Sequence, residues 1–191
     1  MDLTNIEQHP WQPYLPDGAK ILILGTFPPG RHWWSMDFYY PNPTNDFWKM
    51  MGLIFFGDSN ALYDRASRHY RLDDIKTLLN ERGIALGDTA REVIRQRGNA
   101  SDKFLEIVTP INLPEVLAKI PECRTIASTG EKAAGVIARL TGTPVPEKGG
   151  CVKTTDGLTI WRMPSPSRAY PMPVEEKARY YAEMFRSAGI L

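Results

Sequence analysis

The chain has little cysteine and histidine, and their placement excludes several kinds of metal chemistry. Its 191 residues include two cysteines, Cys123 and Cys151, which lie far apart and outside any Cys-x-x-Cys spacing. A four-thiolate zinc or iron–sulfur site would therefore lack half of its ligands. The three histidines, His9, His32 and His69, are equally scattered. We expect two buried free thiols, histidines at the surface or in loops, and no metal, iron–sulfur cluster or other cofactor.

Long apolar runs are also lacking. The longest runs, at residues 21–24 and 53–56, are next to glycine and far shorter than the roughly 20 residues that cross a bilayer. The first residues have neither the basic start nor the apolar stretch of a signal peptide. We therefore expect a cytoplasmic, monomeric protein with no membrane association. A single domain is expected over residues 1–191, with residues 1–19 as an irregular, proline-containing arm.

An excess of charge of one sign is absent as well. Lys and Arg number 23 and Asp and Glu 22, which gives a net charge of +1. This balance excludes a surface that is basic throughout, so any contact with a nucleic acid must be local. The hydrophobic content of 42% and the charged content of 24% are those of a globular protein.

Apolar runs and helical spacings alternate along the chain. Strands are predicted over residues 20–25, 104–109, 124–129 and 158–163, and a short hairpin within 143–157. Helices are predicted over residues 47–54, 72–82, 113–120, 131–140 and 174–187, and over 89–97 with Asp88 as its N-cap. This order predicts an α/β fold, specifically a three-layer α/β/α sandwich around a central four-stranded, mostly parallel sheet.

Two proline-rich loops follow predicted strands, at residues 26–46 and 164–173. Ligands in open α/β sheets bind beyond the carboxyl ends of the strands. Irregular segments of about 20 residues within a compact domain are usually functional. We therefore expect the two loops to face each other across one cleft.

Five segments in these loops and between them resemble motifs of a known enzyme family. They are Gly25-Thr26-Phe27-Pro28-Pro29-Gly30, Tyr40 to Trp48 with its Asn45-Asp46-Phe47-Trp48 end, Gly83-Ile84-Ala85-Leu86-Gly87-Asp88, Ile126 to Ala133, and Met163-Pro164-Ser165-Pro166-Ser167-Arg168. In this order and spacing the chain resembles the uracil-DNA glycosylase superfamily, most closely its mismatch-specific and hypoxanthine-type branches.

The resemblance implies a monofunctional DNA glycosylase, which flips a deaminated base such as uracil or hypoxanthine out of DNA and hydrolyses its N-glycosidic bond. It places Tyr40 under the flipped base and makes Asn45 the catalytic residue that positions the attacking water. An alternative role for Asn45 is to cap the helix that carries Phe47 and Trp48, and both roles can coexist.

The same resemblance assigns the remaining contacts with substrate. Thr26 and Phe27 of the first motif would line the substrate pocket. Ser165 would contact both the substrate and the DNA backbone, and Ser167 and Arg168 would bind DNA, with Arg168 filling the gap left by the flipped base.

Two positions depart from the family pattern. Phe27 stands where mismatch-specific members of the family carry Asn and classical members Asp, whereas hypoxanthine-type members also lack this polar residue, which favours Asn45. Met163 stands where classical members carry a histidine that donates to the base. These departures leave two alternatives open: a catalytically weak nucleic-acid or nucleotide-binding domain, and an N-glycoside hydrolase acting on small molecules. Asp88 matches a frequent family residue, but its predicted place as a helix N-cap explains it without catalysis.

Overall fold

The computed structural model describes residues 6–96 and 102–191. Its strands are β1 (Ile6–Gln8), β2 (Ile21–Gly25), β3 (Tyr63–Asp64), β4 (His69–Tyr70), β5 (Ile84–Asp88), β6 (Ala90–Arg95), β7 (Leu105–Pro110), β8 (Thr125–Thr129), β9 (Cys151–Lys153) and β10 (Thr159–Met163). Its α-helices are α1 (Phe47–Phe56), α2 (Leu72–Arg82), α3 (Leu113–Lys119), α4 (Glu131–Thr141) and α5 (Val174–Ser187).

The central sheet has five strands in the order β5-β2-β8-β10-β9. The first four run parallel, and the edge strand β9 is antiparallel to β10, with Val152 opposite Ile160. The α/β class and the mostly parallel sheet are confirmed, whereas the prediction of four strands is wrong. Within residues 143–157, where a short hairpin was predicted, the structure has one strand, β9, and its partner is β10, the strand predicted at residues 158–163. β9 therefore extends the central sheet.

The membership of the sheet also differs from the prediction. The fourth parallel strand is β5, which pairs with β2 and whose residues are all buried, rather than the predicted strand at residues 104–109. That predicted strand exists as β7, but it lies in a separate antiparallel sheet of order β1-β6-β7.

The predicted helix over residues 89–97 is the strand β6, and residue 97 lies outside the described residues. The buried residues Ala90 and Val93 are three apart, which is a helical spacing. Register shifts between Ala90 and Glu92 and between Glu92 and Val93 interrupt the two-residue alternation of this strand. Asp88 is accordingly the last residue of β5 and not a helix N-cap.

The N-terminal arm is more ordered than predicted within its described part, residues 6–19. β1 pairs antiparallel with β6, and Tyr14 exchanges two backbone hydrogen bonds with Leu86 of β5. Residues 1–5, which carry part of the predicted arm and the start of the chain, lie outside the described residues.

An apolar core lies between the central sheet and the helices on each of its two faces. On one face of the central sheet Ile21, Ile23 and Leu86 pack with α1, α2 and α5, and on the other Leu22 and Leu24 pack with α3 and α4. Alternate residues of one buried strand thus serve both cores, as the parallel sheet requires. The predicted three layers are present.

Turn chemistry sets the helix ends. α1, α2 and α4 stop at Gly57, Gly83 and Gly142, each with a positive φ in the left-handed region. Among the residues that the structure describes, no helix combines the length and the apolar content that crossing a membrane requires. Of the two free cysteines, Cys123 is buried as expected, but Cys151 is exposed on the edge strand β9.

Candidate active site

One large cleft lies at the carboxyl ends of the parallel strands. Its volume is about 880 Å³, and its walls include both proline-rich loops, residues 25–29, 40–42 and 45 on one side and residues 163–167 and 169–171 on the other. The backbone N–H of Asp46 donates to the carbonyl of Pro166 over 2.8 Å, which joins the two loops directly. The structure therefore brings together the segments that the sequence placed on either side of a cleft.

The floor of the cleft is built around Gly25, the last residue of β2. A Cβ atom at Gly25 would lie 2.5 Å from Asp88 Oδ1 and 3.2 Å from the Tyr40 hydroxyl. Those polar groups can approach so closely only because residue 25 has no side chain. Tyr40 Oη is also 3.0 Å from Thr129 Oγ1, so a carboxylate and two hydroxyls meet at this point.

Asp88 is paired with His9 beneath this floor. His9 Nε2 lies 2.8 Å from Asp88 Oδ2, and the two residues are 7% and 6% exposed. The other ring nitrogen, His9 Nδ1, lies 2.8 Å from the Trp11 carbonyl oxygen and 3.1 Å from the Trp11 backbone nitrogen, so the same residue offers it both an acceptor and a donor. Burial raises the pKa of Asp88, and the hydrogen bond from His9 opposes that rise.

This pair corrects two predictions. His9 was expected at the surface or in a loop, and it lies in a loop after β1 but is buried, while His32 and His69 are exposed as expected. Asp88 was assigned to helix capping and instead lines the cleft. The sequence did hold one indication, because Asp88 follows an apolar run and so stands at the carboxyl end of a strand. His9 carried no such indication, since its partner is 79 residues away.

The first motif supplies one wall of the cleft. Thr26 is buried, lines the cleft, and accepts the backbone N–H of Ala90 on its carbonyl over 3.1 Å. Phe27 also lines the cleft, and its ring meets that of His9 edge-to-face, with centroids 5.2 Å apart at 85°. Phe27, one of the two departures from the family pattern noted in the sequence, thus packs its ring against the His9–Asp88 pair.

Tyr40 stands in the wall with its ring already stacked on one side. The ring of Phe47 lies parallel to it, at 3.9 Å between centroids and 13° between planes. A base could therefore stack only on the opposite face of the Tyr40 ring. The backbone of Tyr40 has a φ of 54°, a strained conformation for a residue with a side chain.

Asn45 lines the same cleft and makes the expected capping contact. Its Oδ1 accepts the backbone N–H of Phe47 over 2.9 Å, although Asp46 is the residue at the N-cap position of α1. This bond fixes the amide plane, so that Nδ2 remains as a donor and Oδ1 keeps a second lone pair. The capping contact therefore leaves Asn45 able to bind a ligand.

In the second proline-rich loop, two serine hydroxyls accept hydrogen bonds from backbone N–H groups of the same loop. Ser165 Oγ accepts the N–H of Ser167 over 3.2 Å, and Ser167 Oγ accepts the N–H of Ala169 over 3.3 Å. Arg168 is exposed and borders a shallower depression that it shares with Asn45 and Thr44. All three predicted residues of this loop thus lie next to Asn45 or the main cleft.

Basic side chains line the cleft. The near-neutral net charge of the chain did not predict this local concentration. Lys103, Lys132, Lys148 and Arg162 contribute to its walls, against the buried Asp88 and the exposed Glu131. Lys132 Nζ donates to the carbonyl of Leu105, and Arg162 to that of Pro146 over 3.4 Å.

Within residues 6–96 and 102–191, no group of three or more His, Cys, Asp or Glu side chains is arranged to hold a metal ion. His9 and Asp88 contact each other rather than a third ligand of those types.

Comparisons with known proteins identify the architecture. No family model matches the chain, and no curated protein matches it. Among solved structures, it matches the solution NMR structure of a protein from Methanosarcina acetivorans that is proposed to be a uracil DNA glycosylase. The TM-score is 0.63 at 21% identity, over 96% of this chain and 99% of that one. The two proteins share a fold. The carboxyl-end cleft of this chain therefore lies within an architecture matched over nearly its whole length.

Proposed function

We propose that the protein is a monofunctional DNA glycosylase, which flips a deaminated base out of DNA and hydrolyses its N-glycosidic bond. The observation that carries this proposal is the junction of the Asn45 loop and the Ser165 loop over a buried carboxylate, in one cleft lined by basic side chains. The fold shared with the Methanosarcina protein supports the same class of activity.

Base capture is the role proposed for Tyr40 and Asp88. The flipped base stacks on the face of Tyr40 that Phe47 leaves uncovered, while its edge meets Asp88 and the hydroxyls of Tyr40 and Thr129. Deamination turns the ring-nitrogen acceptor of cytosine or adenine into an N–H donor. The carboxylate of Asp88 can accept that N–H, whereas it would repel the lone pair of the unmodified base. Uracil and hypoxanthine are therefore the proposed substrates.

Bond cleavage is the role proposed for Asn45. As the bond between C1′ and the base nitrogen breaks, positive charge develops on the sugar and negative charge on the base. The second lone pair of Asn45 Oδ1 holds the attacking water, while Nδ2 can donate to the departing base. Because Phe47 N–H fixes the amide, this geometry exists before the substrate binds. Met163 lines the cleft but offers no donor, so Asn45 and backbone N–H groups stabilise the leaving base.

DNA binding is the role proposed for the second loop and the basic lining. Lys103, Lys148 and Arg162 attract the phosphates near the cleft, and the small side chains of Ser165 and Ser167 admit the backbone closely. Arg168, exposed beside Asn45, enters the stack where the base has left. One copy of the chain suffices for all of these roles, and none of them needs a cofactor.

A panel of labelled oligonucleotides tests the proposal. Duplex and single-stranded DNA with uracil, hypoxanthine or xanthine at one position is incubated with the protein and then treated with alkali, which breaks the strand at an abasic site. We expect scission at the deaminated base and none at cytosine or adenine. Binding without scission would favour the alternative of a weakly catalytic binding domain, to which Phe27 and Met163 point. Hydrolysis of free nucleosides that long DNA does not inhibit would favour the small-molecule enzyme.

A further inference from the structure

Lys177 is a fully buried lysine that the proposed chemistry does not use. It lies in α5, its side chain is 0% exposed, and its Nζ donates to Asp46 Oδ2 and to the carbonyl of Ser167, each over 2.8 Å. A buried ammonium group is costly unless its charge and its hydrogens are matched. The position therefore needs an explanation beyond packing, because an apolar side chain of the same length would fill the space without that cost.

The two acceptors of Lys177 belong to the two loops that form the cleft. Asp46 directly follows Asn45, and Ser167 lies between Ser165 and Arg168 in the second loop. The backbone of Asp46 also donates to Pro166, so the same residue is bound to the second loop twice, once directly and once through the lysine. One ammonium group thus bridges the loop of the proposed catalytic residue and the loop of the proposed DNA contacts.

The second loop is held at a further point from the same face of α5. Tyr181, one helical turn after Lys177, donates its hydroxyl to the carbonyl of Pro164 over 2.9 Å. The carbonyls of Pro164, Pro166 and Ser167 each accept a hydrogen bond from α5 or from the start of α1. These carbonyls belong to the loop proposed to bind DNA, so their hydrogen bonds fix the backbone of that loop before DNA binds.

Neutralising Asp46 does not require Lys177. Lys49 reaches the other carboxylate oxygen, Asp46 Oδ1, over 3.3 Å from a side chain that is 39% exposed. A surface lysine can supply that charge at little desolvation cost. What Lys177 adds is the bond to the Ser167 carbonyl, which Lys49 does not make.

We propose that Lys177 is a positioning residue, which locks the second loop onto the start of α1 and so sets Asn45 relative to Ser165, Ser167 and Arg168. The connection that Lys177 makes between the second loop and the start of α1, called the lock below, is argued from the contacts described above. Its effect on base excision rests on the proposed function. The two parts are tested by different measurements.

Native-state hydrogen exchange tests the lock without reference to activity. In Lys177→Met, we expect the Asp46 amide, which bonds Pro166, to exchange at least about 10-fold faster, while amides inside α1 such as Met51 keep their protection. The matched control is Lys49→Met, which removes the other cation on Asp46 and should change neither. Unchanged protection at Asp46, or an equal loss of protection at Asp46 and Met51, would overturn the proposal.

Single-turnover excision tests the effect on the reaction. We expect Lys177→Met to slow excision from duplex DNA by about 10²-fold with DNA affinity nearly unchanged, because small misplacements of reacting groups have effects of this size. Lys49→Met should retain the parent rate. If Lys177→Met excises at the parent rate, the lysine does not position the site.

A double variant separates positioning from stability. In Lys177→Met the Asp46 carboxylate keeps Lys49, 3.3 Å away, but loses its fully buried cation. Asp46→Asn in addition removes that carboxylate, so the melting temperature should recover relative to Lys177→Met alone. Excision should stay slow, because the Ser167 carbonyl keeps the N–H of Tyr170 within its own loop, over 3.0 Å, but still lacks the bond from Lys177 that ties this loop to α5. Recovery of the rate together with the stability would overturn the proposal, since the lysine would then only neutralise Asp46. If the parent protein excises no base, the proposed function fails, and hydrogen exchange alone decides on the lock.

Discussion

His9 and Asp88 form a buried pair 2.8 Å apart beneath the floor of the cleft. The pair joins the N-terminal segment, which follows β1 of the antiparallel sheet, to the end of β5 in the central sheet. His9 also meets the rings of Trp11, Phe27 and Tyr39 within 6 Å between centroids. The carboxylate that faces the cleft is thus held from below by an imidazole that aromatic rings enclose.

Removal of His9 should destabilise the protein strongly. His9→Ala leaves the Asp88 carboxyl buried without its partner, and breaking a buried pair in this way costs about 3–5 kcal/mol. The exposed His32 provides the matched control, since His32→Ala should change the free energy of unfolding by less than about 0.5 kcal/mol. Urea unfolding of both variants checks this. Equal effects of the two substitutions would mean that the pair adds nothing to stability.

The stability of Asp88→Asn relative to the parent should depend on pH. Burial raises the pKa of Asp88, so the folded state holds this proton more tightly than the unfolded state does. The favourable contribution of the protonated carboxyl is complete below the unfolded pKa of about 3.9 and is lost as pH rises through the folded pKa. Asp88→Asn, which cannot ionise, should therefore gain in melting temperature relative to the parent as pH increases from about 4.

Thermal unfolding of the two proteins in parallel across that pH range measures the difference directly. A difference that stays constant, or that falls as pH rises, would show that the folded protein does not disfavour the charged form of Asp88.

Local patterns predicted much of the fold. The helical spacing of Phe47, Met50 and Met51 and the stop at Gly83 gave α1 and the end of α2, and α5 spans residues 174–187 as predicted. These elements each bury one stripe against the sheet, so the spacing of their apolar residues reports their structure. The proline-rich loops were located for the same reason, because proline and glycine restrict the backbone locally.

Features that depend on distant partners were not predicted. The irregular register of β6 gave Ala90 and Val93 a helical spacing, and its strand pairing with β1 and β7 decides its conformation. The pairing of His9 with Asp88 depends on how two sheets meet, which no local pattern encodes. The contacts of Lys177 with both loops were not predicted either, because they also depend on distant partners. In addition, a lysine in an amphipathic helix is ordinarily expected at the surface.

Variants at Asn45 should separate capping from catalysis. Asn45→Asp keeps an oxygen that can accept the Phe47 N–H but loses the Nδ2 donor, so its melting temperature should stay close to that of the parent. Its single-turnover excision rate should fall by about 10²-fold or more, with little change in DNA affinity. Asn45→Ala loses both groups and should lose about 1 kcal/mol of stability in addition. If Asn45→Asp excises at the parent rate, Nδ2 has no part in the reaction, and if Asn45→Ala does so as well, Asn45 has a capping role alone.

Arg168→Ala should distinguish duplex from single-stranded substrates. Flipping a base out of a duplex costs a few kcal/mol of unstacking, which a side chain in the vacated position offsets. We therefore expect a much larger decrease in excision from a well-paired duplex than from the same base in a single strand. The exposed Arg139 of α4, outside the cleft lining, provides a matched control, and Arg139→Ala should affect neither substrate.

The salt dependence of binding completes this comparison. If Arg168 contacts a phosphate only, Arg168→Ala should weaken both substrates alike and lower the salt slope by about one contact. If Arg168→Ala excises and binds both substrates as the parent protein does, Arg168 takes no part in DNA binding.

Hydrolysis of the N-glycosidic bond with Asn45 as the catalytic residue is measured most directly by the release of free base. Duplex DNA containing uracil or hypoxanthine is incubated with the parent protein and with Asn45→Asp, and both the liberated base and the abasic sites are quantified. We expect one free base for each abasic site, without strand breakage before alkali, and at least about 10²-fold slower release by the variant. No liberated base from either DNA, or equal release by parent and variant, would contradict this expectation.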